Sequence, residues 1–504
     1  MIRADMQRRQ ILINSIMSVL QILTISVVLF FLYKFLLGTI GAEKFGIWSL
    51  VLAATAVTQI ADLGLSGGVV KFVAKYIARE ENENVIGVIQ TAALTIGATV
   101  GLILTAGYPV IKWALRLIVP SESFPLALEI LPFAFIALWL CMLTSIFQAG
   151  LDGYQRFDVR SLILISGAVF HFLLCIWWVP KHGLLGLAYA KVVQNGSVMI
   201  VSRLALKKIV PSLPFLPFGW NKRLFKEMIG YSINFQIISV SNMLYDPITK
   251  ALLSKFGGLS MVGYYQMAGK MIQRLHSLII AANQVLVPAI ADLKEKTPEK
   301  IRHVYITSYR LLFYLVFPLY FLVIISLPLI SKIWIGHYEG AFVTFSALLS
   351  IGWLLNTLSS PAYHTNLGTG KLFWNVVGHI VIAVLNVGLG IVLGFIYAGT
   401  GVVFGWMLSL ALGSSIIYFS YHIRYKIPLS ALVPEESRMT LSVCLVGLLF
   451  LIAIHKVWGE MFPPTAFSAI SVFVFMGIIS IPYWRHPMRK RLYNWVAQEL
   501  FKRK

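Results

Sequence analysis

Apolar residues fill this chain in runs of about twenty or more, broken at short intervals by a glycine, a proline or a few cations. A helix rises about 1.5 Å per residue, so about 20 such residues cross the hydrocarbon core of a bilayer. The pattern predicts fourteen membrane helices, over 11–33, 45–68, 85–108, 125–149, 160–180, 183–205, 228–256, 261–290, 308–332, 341–364, 372–395, 398–421, 440–458 and 463–484. Pro318, Pro328 and Pro361 permit kinks or broken helices within 308–364. Between the sixth and seventh runs lies "KKIVPSLPFLPFGWNKRLFKE", Lys207 to Glu227, whose prolines, aromatics and cations predict an amphipathic segment on the inner membrane surface.

Composition agrees with the pattern. Of 504 residues 58% are hydrophobic and only 12% charged, with mean hydropathy +0.80, against about 25% charged in a soluble chain. The chain reads as an all-α polytopic membrane protein with no room for a sizeable soluble domain. The first run, from Ile11, is too long for a signal-peptide core and lacks a small-residue cleavage pattern, so it reads as a membrane helix. Cys141, Cys175 and Cys444 lie inside apolar runs and read as small buried hydrophobes, with no disulfide framework or metal-ligand spacing.

The net charge of +22 would suit nucleic acid, but its distribution excludes that partner. With the N-terminus inside, about 30 of the 42 Lys and Arg fall in the tails and inside loops, and about eight in the outside loops. That bias predicts a multi-pass membrane protein with both termini cytoplasmic. The basic, amphipathic C-terminal stretch 485–504 predicts binding to an anionic leaflet.

The two halves repeat. "GAEKFGIWSL" (Gly41 to Leu50) matches "GLSMVGYYQM" (Gly258 to Met267): a glycine, a short polar turn, then hydrophobic-Gly-aromatic opening a helix. Six spans per repeat is an even number of crossings, so the repeats share an orientation and their axis lies along the membrane normal. The expected organisation is a first lobe over 1–206, a cytoplasmic amphipathic linker over 207–227, a second lobe over 228–425, two further spans over 426–484 and a basic tail over 485–504.

"FGIWSLVLAATAVTQIADLGLSGGVVKFVAKYIARE" (Phe45 to Glu80) resembles the second helix of polysaccharide flippases in the multidrug/oligosaccharidyl-lipid/polysaccharide exporter superfamily. The shared features are the Gly-aromatic start, Asp-Leu-Gly-Leu, small residues and a basic stretch entering a cytoplasmic loop. "GGLSMVGYYQMAGKMIQRLHSLIIAANQVLVPAIADL" (Gly257 to Leu293) is similar to its second-half counterpart, including the late Pro288. The resemblance implies a protein of the cytoplasmic (inner) membrane with two pseudo-symmetric six-helix lobes facing a central cavity that opens alternately inward and outward.

Charges inside the spans are the candidate chemistry. A cation at the bilayer centre costs at least about 2.5–3.5 kcal/mol, so such residues face water or a counter-ion. Asp246 lies twelve residues before the turn at Gly258 and Lys270 twelve after it, so the two fall at one depth, roughly 18 Å from that turn. An ion pair between them is one expectation, but one carboxylate cannot neutralise Lys250, Lys270 and Arg274. Lys250 and Arg274 are therefore expected to face a hydrated cavity. A cationic cavity suits an anionic cargo, and Arg grips phosphate through a planar fork. With the resemblance, this assigns substrate binding to Arg274 first and Lys270 second, then Lys250, Asp246 and Asn234. The expected ligand is a polyprenyl-diphosphate-linked oligosaccharide, held in a phospholipid bilayer.

Asp62 and Gln59 sit near the inner end of span two. They fit cation coupling, sugar binding or a gating contact. "GLSGG" (Gly64 to Gly68) lacks the lysine of a phosphate loop and reads as a hinge or close crossing. His171 reads as a core histidine, and His276 points away from Arg274. Lys191 and Asn195 could add to the wall of the first lobe, and Gln236 to a sugar site. Trp177, Trp178, Trp334, Trp458 and Trp484 read as interface anchors.

No enzyme constellation emerges: no phosphate loop, zinc motif or paired carboxylates in a loop. No cofactor is expected, though a coupled proton or sodium ion stays open. Other polysaccharide export proteins are conceivable partners. A cation-coupled multidrug antiporter, a membrane glycosyltransferase or polymerase, and a non-transporting scaffold are the competing readings.

Overall fold

The computed structural model describes residues 2–56, 64–214, 218–283, 286–458 and 464–490. Their regular structure is helical: α1 (Ile2–Ala56), α2 (Leu65–Ala78), α3 (Asn82–Ile118), α4 (Phe124–Gly153), α5 (Phe157–Ile209), α6 (Lys222–Gly257), α7 (Leu259–Asn283), α8 (Leu286–Lys296), α9 (Lys300–Ile335), α10 (Gly340–Thr369), α11 (Phe373–Arg424), α12 (Arg438–Trp458) and α13 (Pro464–Arg485), with two short 3-10 turns before α12. Three runs are really two legs each, parted at Gly41 in α1, Gly183 in α5 and Tyr397–Ala398 in α11. The short α2 and α8 follow the second leg of α1 and α7 in sequence, so the chain has about fourteen membrane-crossing lengths, as the apolar runs predict. Helices α9 and α10 run unbroken through Pro318, Pro328 and Pro361.

By its contacts the chain divides into two compact units, Met1–Gln266 and Met267–Lys504, and the division falls inside α7. Small residues set the packing of the first unit. A Cβ on Gly153 would come within 2.6 Å of Val73, and one on Gly150 within 2.9 Å of Leu206. Some of the polar groups inside it reach backbone carbonyls, as burial in an apolar surround favours. The Trp139 indole donates to the Gly97 carbonyl at 2.9 Å and the Asn195 amide to the Ala137 carbonyl at 2.6 Å. Asn195 is thereby tied to the backbone of α4.

The linker is tied to the first unit by its own backbone. Its described residues between α5 and α6 form a turn and then extended chain strapped to α3, with no helix of their own. The backbone N–H of Gly219 donates to Gln90 Oε1 at 2.6 Å, that of Asn221 to Thr91 Oγ1 at 3.0 Å, and the Trp220 indole to Thr95 at 3.3 Å. The Asn221 side chain then caps α6 by accepting from the N–H groups of Arg223 and Leu224. One turn on, Glu227 accepts from the Tyr76 hydroxyl at 2.9 Å and lies 3.6 Å from Lys75. Burial, and then the Glu227 carboxylate, push the Tyr76 hydroxyl above its ordinary pKa.

In the second unit α9 carries a stacked aromatic ladder, with Phe313 and Phe317 4.1 Å apart. α13 docks on it through Tyr314, which stacks on Tyr483 at 4.3 Å and His486 at 4.5 Å. α10 and α11 share a polar seam, in which Asn366 donates to Asn375 at 2.9 Å and Asn356 to Ser414 at 2.8 Å. Trp334, expected at the interface, is buried instead against Phe342. Trp177 and Trp484 are exposed, as anchors should be. Of the three free cysteines, Cys141 is exposed and only Cys175 and Cys444 are buried.

Candidate functional site

The repeated motif builds a reciprocal helix crossing. Gly41 and Gly258 adopt almost the same backbone, φ 79° and ψ 167° against φ 84° and ψ 170°, a left-handed turn that favours glycine. Five residues later in each copy a second glycine meets the other copy. A Cβ on Gly46 would lie 1.9 Å from the Leu259 carbonyl oxygen, and one on Gly263 2.4 Å from the Ala42 carbonyl oxygen. Leu259 and Ala42 are themselves matched positions, so each copy presents to the other the surface it receives. The matched Ser49 and Gln266 close the contact, the serine hydroxyl donating to the amide oxygen at 3.1 Å. The Gln266 amide in turn donates toward the Tyr33 hydroxyl at 3.4 Å. Ser49 and Gln266 escaped the sequence reading, although the motif alignment itself pairs them.

On α6 the ion pair forms within the helix. Lys250 Nζ lies 2.6 Å from Asp246 Oδ2, the pair being one turn apart, with the lysine side chain 4% exposed and the carboxylate 40%. Residues at i and i+4 sit on one helix face, so this partner costs no helix-to-helix alignment. Lys250 is thus a buried, paired cation, where the sequence predicted one facing a hydrated cavity. Thr249, beside Lys250, donates back to the Tyr245 carbonyl at 2.8 Å. α6 also carries Asn234 and Gln236, whose side chains lie outside the described residues, as do Asp62 and Gln59 altogether.

On α7, Lys270 and Arg274 share a face one turn apart. The Lys270 ammonium donates to Gln273 at 3.4 Å. The Arg274 side chain is half-buried, and among the described residues no carboxylate lies within 4.0 Å of its guanidinium. His276 turns away from it, as predicted, pairing with Thr357 of α10 at 3.0 Å and lying 4.4 Å from the Trp353 ring. In α5, Lys191 donates to Gln194 at 2.8 Å, and His171 contacts the Cys175 sulfur at 3.8 Å.

One turn beyond Arg274 the character of α7 changes. Leu278 and Ile279 open an apolar groove of about 900 Å3, completed by Leu286 of α8, Leu315 and Leu319 of α9 and Phe475 of α13. Its few polar residues include Asn283, Ser308 and Tyr483. A fork-shaped cation and an apolar channel on consecutive turns of one helix match the two parts of a phosphate-headed lipid. The groove was not legible in the sequence, because it depends on α13 docking on α9.

The comparisons with known proteins agree with this architecture. The family model described as "Polysaccharide biosynthesis protein" matches residues 39–339, more than half of the chain. A candidate O-antigen transporter of Shigella flexneri is 23% identical over 405 residues, 77% of this chain and 92% of that protein. Among solved structures, a multidrug resistance transporter of the superfamily in an inward-facing conformation has TM-score 0.69 at 15% identity, over 79% of this chain and 94% of that one. The lipid II flippase MurJ, in an inward closed conformation, has TM-score 0.69 at 13% identity, over 94% of this chain and all (100%) of that one. At such identities the structures speak for the fold alone. The family match speaks for descent: this chain belongs to the polysaccharide biosynthesis protein family.

Proposed function

We propose that the protein is an alternating-access flippase that carries a polyprenyl-diphosphate-linked oligosaccharide from the inner to the outer leaflet for a surface polysaccharide. The observation that carries this reading is the succession along α7 of Lys270, Arg274 and the apolar groove beginning at Leu278. The guanidinium takes the diphosphate through charge-assisted hydrogen bonds, worth about 1.5–3 kcal/mol each. The groove shelters part of the isoprenoid chain, at about 0.8 kcal/mol per buried CH2. A cargo that was a cationic drug would call for an acid where Arg274 stands. Lys250 and Asp246, neutralised by each other, support the helix and do not grip the cargo.

The test is the leaflet distribution of lipid-linked oligosaccharide in cells lacking the gene, with wild type or Arg274→Ala restored. The expected result is accumulation on the inner leaflet, cleared by wild type and not by a stably expressed Arg274→Ala. Clearance by both would remove Arg274 from the mechanism. No accumulation, in a strain without a second flippase, would reject the flippase reading.

A further inference from the structure

The two legs of α11 form an antiparallel hairpin. Gly378 in the first leg faces Gly413 and Ile417 in the second, while Gly390 faces Gly405 nearer the bend. The hairpin therefore brings the start of α11, at Phe373, and its end, at Arg424, to the same rim. Between the legs at that rim lies a pocket of about 570 Å3 lined by Trp374, Ile416, Ser420, Ile423 and Arg424. The charge bias of the loops places this rim inside.

Arg424, at the end of the second leg, lines the pocket, and two further cations adjoin the ends of the hairpin: Lys371 just before the first leg and Lys426 just after the second. Each is exposed, and among the described residues none has a carboxylate within 4.0 Å. The nearby acids are engaged elsewhere, Glu436 with Arg310 at 3.4 Å and Glu435 with Arg438 at 3.5 Å. Lys371 is held over the Tyr425 ring at 5.7 Å, which fixes its ammonium beside the end of the second leg. The rim is apolar between the charges, with Phe373 68% and Ile423 74% exposed.

We propose that this pocket binds an anionic phospholipid of the inner leaflet. Its phosphate sits on the Arg424 guanidinium with Lys371 beside it, and an acyl chain lies between the legs against Ile416 and Trp374. Basic pockets between helices at the cytoplasmic rim suit such headgroups. A phenolic or indole ring beside the cation suits the interface itself. A neutral zwitterionic lipid satisfies the shape but leaves the excess positive charge uncompensated, so the expected preference is for net negative headgroups. The site stands apart from the α7 groove, and the inference holds or falls without the flippase reading.

The experiment uses the purified full-length protein in nanodiscs of equal phosphatidylglycerol and phosphatidylcholine, with a trace of photoactivatable phosphatidylglycerol. After irradiation the adducts are mapped by peptide. The expected result is an adduct within 371–374 or 416–426. It should fall about tenfold in Arg424→Gln/Lys371→Gln and be largely retained in Arg424→Lys, at unchanged melting temperature. No adduct in these segments, or one equally strong in the double variant, would overturn the proposal. Displacement by an added polyprenyl diphosphate, but not by more phosphatidylglycerol, would also overturn it and assign the pocket to the cargo's own headgroup.

Discussion

The matched hairpins of the two halves have nearly the same backbone and very different side chains. Gly183, which parts the legs of α5, sits at φ 56° and ψ −128°, and Ala398, which parts those of α11, at φ 52° and ψ −140°. Three residues past each bend a glycine presses on the incoming leg. A Cβ on Gly186 would lie 2.4 Å from the Trp178 carbonyl oxygen, and one on Gly401 1.9 Å from that of Leu393. The motif glycines Gly41 and Gly258 agree to within a few degrees. The charges do not follow this repeat. In the motif alignment, Asp246 and Lys250 stand opposite Leu29 and Tyr33, and Lys270 and Arg274 opposite Ala53 and Val57. The repeat thus fixes the frame through glycines, while these four charges stand in one copy only.

The sharpest way to break this comparison is at the crossing. Gly46→Ala and Gly263→Ala each drive a methyl group into a backbone carbonyl that cannot swing aside as a side chain would. Overpacking of this kind costs about 1–3 kcal/mol or more, so each variant should lose several degrees of melting temperature in detergent. Because the contact is reciprocal, the losses should be similar, and the double variant should lose less than their sum. Additive losses would mean that the two glycines serve separate contacts.

The next effect is on transport. Arg274→Ala should slow clearance of inner-leaflet intermediates by roughly 10–100-fold, the worth of a charge-assisted hydrogen bond. Arg274→Lys should recover part of it, keeping the charge but not the fork. The matched change in the other copy, Val57→Ala, should leave clearance unchanged. A loss at Val57 equal to that at Arg274 would show that the halves share the work.

How much of this was legible in the sequence follows the same division. Fourteen spans could be read because a lipid environment forces every crossing to be a helix of nearly fixed length. The repeat could be read because only glycine tolerates the turns at Gly41 and Gly258. Lys250 was overlooked as a partner of Asp246. Matching depths across the Gly258 turn suggested Lys270, whereas a lysine one turn away on the same helix needs no long-range geometry to reach it. The α7 groove could not be read at all, since α13 brings Phe475 and Tyr483 to α9 from the far end of the chain. Asp62, Gln59 and the Asn234 side chain lie outside the described residues.

A smaller effect distinguishes the bends. The backbone at Ala398 is one that glycine adopts freely and an L-residue does not, and such positions cost about 1–3 kcal/mol. Ala398→Gly should therefore raise the melting temperature slightly, because relief of strain exceeds the roughly 0.4–1 kcal/mol of extra freedom given to the unfolded chain. Gly183→Ala should lower it by a comparable amount. Two changes of opposite sign at matched positions would show that the repeat preserved the turn while the residue drifted. If Ala398→Gly destabilises, the bend is held by neighbours that favour the methyl group.

The smallest expected effect lies at the polar closure of the crossing. Ser49→Ala removes the hydroxyl that donates to Gln266 at 3.1 Å, but leaves the Gln266 amide its approach to Tyr33. A hydrogen bond of this kind is worth about 0.5–1.5 kcal/mol, so the loss in melting temperature should be at the edge of detection. Gln266→Ala, which removes both contacts, should cost more than Ser49→Ala. Since the bond joins the two motif copies, it has to lengthen if those copies separate during transport. Ser49→Cys with Gln266→Cys then gives a readout finer than stability: an oxidised pair should hold the crossing shut and stop clearance of inner-leaflet intermediates, and reduction should restore it. Clearance undiminished by the disulfide would mean that the crossing stays closed throughout the cycle, and that the repeated glycines form a fixed pivot about which the rest of the helices move.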